Sequence, residues 1–515
     1  MGIKTFAAID VGSYELAMKI FEFSGKGRMR EVNHVRHRIE LGTDTYATGK
    51  ISYARVDELC RVLREFLDIM EEYKVEAYKA YGTSAIRETE NTIIVLDQIR
   101  IRTGIEIGVL SNSEQRFLDY KSIASKGEGF NKIIEKGTAI LDIGGGSIQI
   151  SLFDKDSLVT TQNLRLGVLR MREKLSKIQP KASHREELLD EMIGNQLAVF
   201  KKFHLKDREI KNIIVVDDYV CMILQNGMEG ASEAGYIDRE NYLRFVEKLK
   251  SATEEDISRT LRIPEENAQL LYLSAALIKR IIQSMNVELL WAPGVTLCDG
   301  IAYEYAQDKK IIVPEHNFEQ DIIACAQNIS KRYMGNRKRG EMLADMSLTI
   351  FDSMKKIHGL GKRERLLLQI SALLHDCGKY ISLMTVGENS YSIVMATEII
   401  GLSHLEREIV ANIVKYNQID FDYYDDLGKV TTLDEKSYLT IAKLTAILRI
   451  ANGLGRSYIK KFDGIKTVLK EGELVITIDT KENLLLEKGL FKGKADFFEE
   501  VYSIRPVIKQ KRRIV

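Results

Sequence analysis

Apolar and polar positions along the N-terminal stretch fall into two runs separated by a glycine turn. In FAAIDVGSYELAMKIFEF, residues 6–23, an apolar run closes on Asp10, Gly12 permits a tight turn, and an alternating run leads to Phe23. The pattern predicts strand, turn, strand. AILDIGGGSIQISLFD at residues 139–154 repeats the arrangement, with Asp142 closing the first run. An internal repeat of this kind predicts duplicated α/β domains facing a common cleft. Between the copies, Val56, Leu59, Leu63, Phe66, Leu67 and Met70 recur at helical spacing over residues 53–72. KAYGTSAIRETEN at 79–91 reads as a strand entering a helix through a Thr-Ser turn. IEIGVLSNSEQRFLDY at 105–120 reads as a strand and a helix start, with Ser111 or Ser113 as N-cap and Glu114 in the first turn. From about residue 315 the pattern turns helical, and GELVITID with the amphipathic ADFFEEVYSI near the end predicts a closing strand and helix. The expected organisation is two α/β domains at 1–130 and 131–310, a mainly helical domain at 311–460, and an α+β segment at 461–515 that completes the C-terminal half.

Composition narrows the class of protein. A chain of 515 residues is too long for one core. Its 75 basic and 74 acidic residues leave a net charge of +1, which excludes a chain built for general nucleic-acid binding, so any polyanion site is local. The C-terminal run Lys509, Lys511, Arg512 and Arg513 reads as a solvated tail. No apolar stretch approaches the ~20 residues that span a bilayer, and MGIKTFAAID runs straight into a strand without a leader pattern, so a cytoplasmic protein with no membrane association is expected. The five cysteines include no C-x-x-C pair, and most are expected to be buried, reduced thiols.

An aspartate at a strand end followed by glycines is a phosphate-binding arrangement. The glycines let backbone N–H groups approach phosphate oxygens, and the carboxylate can hold Mg²⁺ or a water beside them. Arg87, next to the Thr-Ser turn, is a candidate bidentate phosphate clamp, its alternative being an ion pair with a neighbouring glutamate. Glu114 has its own alternative role, complementing the helix dipole.

Taken in order, DVGSYE, GTSAIR, LSNSEQR, DIGGGSIQ, LRLGVLRM and CDGIAYEYA, over about residues 5–308, resemble the motif series of the exopolyphosphatase and guanosine pentaphosphate phosphohydrolase (Ppx/GppA) family. The resemblance implies an actin-like (ribonuclease H-like) fold, shared with sugar and acetate kinases and chaperone ATPases. It also implies release of terminal phosphate from inorganic polyphosphate, or of the 5′ phosphate from guanosine pentaphosphate, with Mg²⁺ held at Asp10 and Asp142. Asp10, Gly12 and Ser13 fall on the first phosphate loop, Asp142, Gly144, Gly145, Gly146 and Ser147 on the second, Arg87 on the family arginine, and Gly167 and Arg170 on the later glycine-arginine motif. A homodimer is implied as well, with basic residues lining a channel for the polymer.

Departures from the family pattern concern the catalytic carboxylates. The family usually has Glu-Glu where this chain has Glu114-Gln115, and Ser-Thr-Glu where it has Ser147-Ile148-Gln149. An amide keeps the size of a glutamate and can orient water, but it accepts no proton. Glu114 and Glu15 are the expected replacements, beside Asp142 and Arg87, with a catalytically weak polyphosphate or nucleotide sensor as the alternative. A sugar or acid kinase would need an adenosine pocket in the second half, for which the sequence carries no sign. In the helical part, QISALLHDCGKYI presents His375 and Asp376 and resembles the HD-like domain of long family members. Arg339, Asn389 and Asn452 stand where further ligands would be, so His375 and Asp376 are expected to be a hydrogen-bonded pair at a helix end rather than a metal centre.

Overall fold

The computed structural model describes residues 4–24, 28–155, 157–178, 184–216, 218–225, 230–261, 263–314, 316–424, 433–455 and 461–511. They form two compact units, Met1–Phe318 and Glu319–Val515.

The first unit contains two sheets of matching design. β1 (Lys4–Val11), β2 (Glu15–Ser24), β3 (Arg28–Arg38), β4 (Ala77–Gly82) and β5 (Ile107–Val109) lie in the order β3-β2-β1-β4-β5. β6 (Thr138–Ile143), β7 (Ile148–Asp154), β8 (Ser157–Leu164), β9 (Asn212–Val216), β10 (Tyr236–Asp238) and β11 (Leu289–Trp291) lie in the order β10-β11-β9-β6-β7-β8. In each sheet a three-stranded antiparallel meander is followed by two parallel strands, and the second adds β10 antiparallel at its edge. The duplication legible in two hairpins therefore extends through both sheets.

Period-two alternation decides where the strand-end aspartates point. Ala7, Ile9 and Val11 enter a core with Leu59, Leu63 and Phe66 of the Tyr53–Glu72 helix. Phe6 and Ala8 face the other way, onto Leu118 and Ile301, and Asp10 continues this second series. In β6, Ala139, Leu141 and Ile143 pack with Leu271, Ile278 and Ile282 of the Glu265–Met285 helix. Asp142 alternates to the opposite face, with Gln149 beside it in register on β7. The Asn112–Ala124 helix serves both sheets: Leu118 packs on the β1 side, and the Tyr120 ring lies 5.1 Å from that of Phe153 of β7.

The second unit is mainly helical, with a sheet of β12 (Ile465–Lys470), β13 (Glu473–Asp479) and β14 (Arg505–Lys511) in that order. β14 pairs parallel to β13, the Leu485–Tyr502 helix making the crossover. Lys509 and Lys511 are exposed, as expected, but on a paired strand rather than a free tail, while Arg512 and Arg513 lie outside the described residues. All five cysteines are buried and none is in a disulfide, and among the described residues no helix is long and apolar enough to cross a membrane.

Candidate active site

Two loops with the same closure open onto one cleft of about 350 Å³. Gly12 N–H donates to the Glu15 carbonyl and Gly144 N–H to the Ser147 carbonyl, each at 3.0 Å. Asp10, Gly12, Ser13, Asp142, Gly144 and Gly145 all line the cleft. The first loop is held by Gly42 N–H on the Ser13 carbonyl at 2.7 Å. The second is braced by the Val168–Ile178 helix, whose Val168 and Arg170 N–H groups donate to the Gly144 and Gly145 carbonyls at 3.1 Å. Arg170 Nε adds a bond to the Gly146 carbonyl at 2.8 Å, and its Nη2 lies 2.8 Å from Glu88. Arg170 therefore shapes the loop without lining the cleft. Gly167 is needed for close approach: an added Cβ would overlap the Gly145 carbonyl oxygen, the Gly146 carbonyl carbon and the Ser147 nitrogen.

Ser13, Ser84 and Tyr46 form a triangle of hydroxyls at 2.7–2.9 Å. Thr83 and Ser84, read from the sequence only as a turn, line the cleft. Burial pushes the Tyr46 phenol up, so it remains a neutral donor.

Beside the loops lies a chain of polar contacts from Arg87 to the acids. Arg87 Nη1 donates to the Leu110 carbonyl at 2.7 Å and reaches Gln115 Oε1 at 3.4 Å. Gln115 Nε2 in turn donates to Asp142 Oδ2 at 3.2 Å. This explains the amide at 115: it accepts from a cation with one atom and donates to a carboxylate with the other, which a glutamate cannot do. Arg87 contacts Gln115 and does not line the cleft. Gln149 is buried away from it, accepting from Arg116 Nε at 2.9 Å. Of the two carboxylates expected to replace these amides, Glu114 closes a capping box with Ser111: its Oε2 takes the Ser111 N–H at 2.9 Å while its own N–H reaches Ser111 Oγ at 3.2 Å. Glu114 does not line the cleft. Glu15 does, with Arg36 Nε 3.5 Å from its Oε1.

Sequence reasoning missed Asp119. It sits one helical turn beyond Gln115, on the same face of the Asn112–Ala124 helix, and lines the cleft with only 3% exposure. Burial pushes its carboxyl well above the usual range, helped by repulsion from and hydrogen bonding to Asp142 and by repulsion from Asp10, while Arg116 pulls the other way. Its Oδ2 is buried and accepts no hydrogen bond. The only sequence signal was the i, i+4 spacing from Gln115.

Asp119 has a measurable consequence for stability. Its folded pKa is raised, so the folded state binds the proton more tightly than the unfolded chain, and stability falls as pH rises through and beyond the ordinary carboxylate pKa of about 4. Asp119→Asn is expected to match the wild type near that pH. Near neutrality the variant should exceed it by about 1–2 kcal/mol, the scale of a buried polar group that is incompletely satisfied. Thermal unfolding at both pH values checks this.

Mg²⁺ was expected at Asp10 and Asp142. Both carboxylates line the cleft, and Asp142 accepts the Gln115 amide there. Asp10 and Asp142 are the residues that would hold Mg²⁺, which commonly takes one or two carboxylates together with substrate phosphates. A cation arriving as the counter-ion of a phosphate chain belongs to the substrate.

Part of the cleft lining is apolar and aromatic: Tyr14 of the first loop, with Val216, Tyr219, Ile263, Pro264 and Asn267 of the second half. The Tyr14 hydroxyl bonds Asn267 Oδ1, and its ring meets that of Tyr219 edge-on at 5.9 Å. The sequence did not reveal this aromatic lining.

In the second unit, His375 caps the Lys362–Leu374 helix. Its Nδ1 lies 2.8 Å from the Ala372 carbonyl, and Nε2 is 3.8 Å from Asp376, too far for the expected hydrogen-bonded pair. Burial pushes its pKa down to about 4, so the ring is neutral at pH 7. Arg339 Nη2 reaches Asn452 Oδ1 at 3.3 Å. Asn389 bonds Thr385 within its own helix.

Two related halves, each carrying a strand-end aspartate and a glycine turn on a shared cleft, define a protein of the actin-like fold class. The family model described as Ppx/GppA phosphatase matches residues 20–309, and that of its domain III matches residues 323–494. The chain belongs to the Ppx/GppA phosphatase family. It is 18% identical over 461 residues to a guanosine-5'-triphosphate,3'-diphosphate pyrophosphatase of Photobacterium profundum, covering 86% of this chain and 85% of that protein. It is 26% identical over 191 residues to exopolyphosphatase 1 of Mycobacterium tuberculosis, covering 37% of this chain and 54% of that protein. A crystal structure of an exopolyphosphatase from Cytophaga hutchinsonii matches with a TM-score of 0.53 at 17% identity, covering 60% of this chain and all of that one.

Proposed function

We propose that the cleft hydrolyses a terminal phosphoanhydride bond, releasing phosphate from inorganic polyphosphate or the 5′ phosphate from guanosine pentaphosphate. The observation that carries this reading is the meeting of two glycine phosphate loops on one cleft with Asp142 and Asp119 beside them. Backbone N–H groups of both loops are suited to hold phosphate oxygens, and the hydroxyl of Ser13 adds a donor. Water attacks the terminal phosphorus, the bridging P–O bond breaks, and the leaving phosphate carries away the electron pair. Gln115 orients the carboxyl of Asp142.

Between the two substrates, the aromatic part of the lining favours the one bearing a base. Among the described residues that line the cleft Arg36 is the one Lys or Arg, beside Asp10, Glu15, Asp119 and Asp142. A long polyanion gains little from such a lining, whereas an aromatic wall suits a base.

A second reading, a catalytically weak sensor of polyphosphate or nucleotide, draws on the Gln115–Asp142 hydrogen bond, which sets an amide where a proton acceptor is expected. Phosphate release and equilibrium binding, measured in parallel with both substrates, separate the two. Release by the wild type is the expected result, faster with guanosine pentaphosphate. Tight binding without release, recovered by combining Gln115→Glu with Gln149→Glu, would establish the sensor instead. In that variant the glutamate at 149 gains an ion pair with Arg116.

A further inference from the structure

We infer that Asp119 is the residue that takes the proton of the attacking water, the work of a glutamate at position 115 having moved one helical turn along the Asn112–Ala124 helix. The inference rests on the phosphohydrolase reading of this cleft. Three observations carry it, beginning with position: residues four apart on a helix share a face, so a carboxylate at 119 looks into the same space as the side chain of residue 115. Both residues line the cleft that the two phosphate loops define.

Chemical need is the second. Gln115 is held between Arg87 and Asp142 and has no acceptor basic enough to take a proton. Glu114 is spent on its helix cap, and Glu15 faces Arg36. Gln149 is bound to Arg116.

The third is the state of Asp119 itself. Its Oδ2 is buried and accepts no hydrogen bond from the protein, which leaves that oxygen open to a water in the cleft. The step uses the ionised Asp119 carboxylate. One O–H bond of water breaks and its proton passes to Asp119, while the water oxygen forms the new bond to phosphorus. The bridging P–O bond breaks, and its electron pair leaves with the shortened chain. Loss of the accepted proton to solvent restores the carboxylate.

The test uses the full-length protein with guanosine pentaphosphate and inorganic tripolyphosphate, and compares wild type, Asp119→Asn, Glu15→Gln and the double variant Asp119→Asn with Gln115→Glu. Asp119→Asn is isosteric and relieves a buried acid, so a folded protein is expected, and equilibrium binding of tripolyphosphate confirms an intact site. Its kcat should fall about 10²-fold with KM changed far less, the scale of a lost general base. Returning a carboxylate to position 115 should recover about tenfold of that loss, which no structural role of Asp119 would predict. Retention of kcat by Asp119→Asn, a larger loss in Glu15→Gln, or no recovery in the double variant would each overturn the assignment while leaving the hydrolase reading in place. Absence of phosphate release from the wild type would overturn both.

Discussion

Gly167→Ala should cost about 10² in kcat/KM and destabilise the first unit by about 1–3 kcal/mol, the scale of an overpacked contact. The added methyl has nowhere to go: it meets the Gly145 carbonyl oxygen and the backbone at Gly146 and Ser147, none of which is the flexible end of a side chain. Either the second phosphate loop or the start of the Val168–Ile178 helix must move. That separates the Val168 and Arg170 N–H groups from the loop carbonyls they hold at 3.1 Å. Because the loop N–H groups act by position, a shift of an ångström is enough to misalign a phosphate. Steady-state kinetics and thermal unfolding of the same sample check both halves of the prediction. A variant with normal kcat/KM would show that the loop does not bind the reacting phosphate.

Asp142→Asn should lower kcat by about 10³-fold, within the span of a lost acid–base group. Asp142 ends β6 at the entrance to the second loop, accepts the Gln115 amide at 3.2 Å, and shares a hydrogen bond with Asp119. Removing its charge breaks the pair. Asp119 then loses a repulsive neighbour that raises its pKa, so the residual activity should have its acidic limb displaced to lower pH. A pH–rate profile of the variant checks the sign; an unmoved limb would show that the two carboxyls do not titrate together.

Much of the site was legible because it is local. Asp10 and Asp142 were found from strand ends followed by glycines, and both loops close through the same backbone bond. Ser111 and Glu114 were readable as a helix start, since a capping box involves neighbours in the chain. The same locality made Glu114's other role readable: the cap holds its carboxylate. Asp119 was not legible because LDYK in mid-helix carries no motif, and its burial follows from where the helix lies between the sheets. Lys509 and Lys511 read as a tail because parallel pairing to β13 across a helix leaves no local signature.

The sequence by itself determined the two hairpins, the helical stripe of residues 53–72 and the order of the phosphate-binding motifs, since each depends on backbone sterics or on the period of a single element. Only the tertiary structure decided which polar groups share the cleft. Gln115, Asp119 and Asp142 come together because the Asn112–Ala124 helix packs against both sheets, and the charge state of a carboxyl is set by what surrounds it in space. The burial and like charge that distinguish Asp119 arise from residues distant in the chain, and they exist only once it has folded.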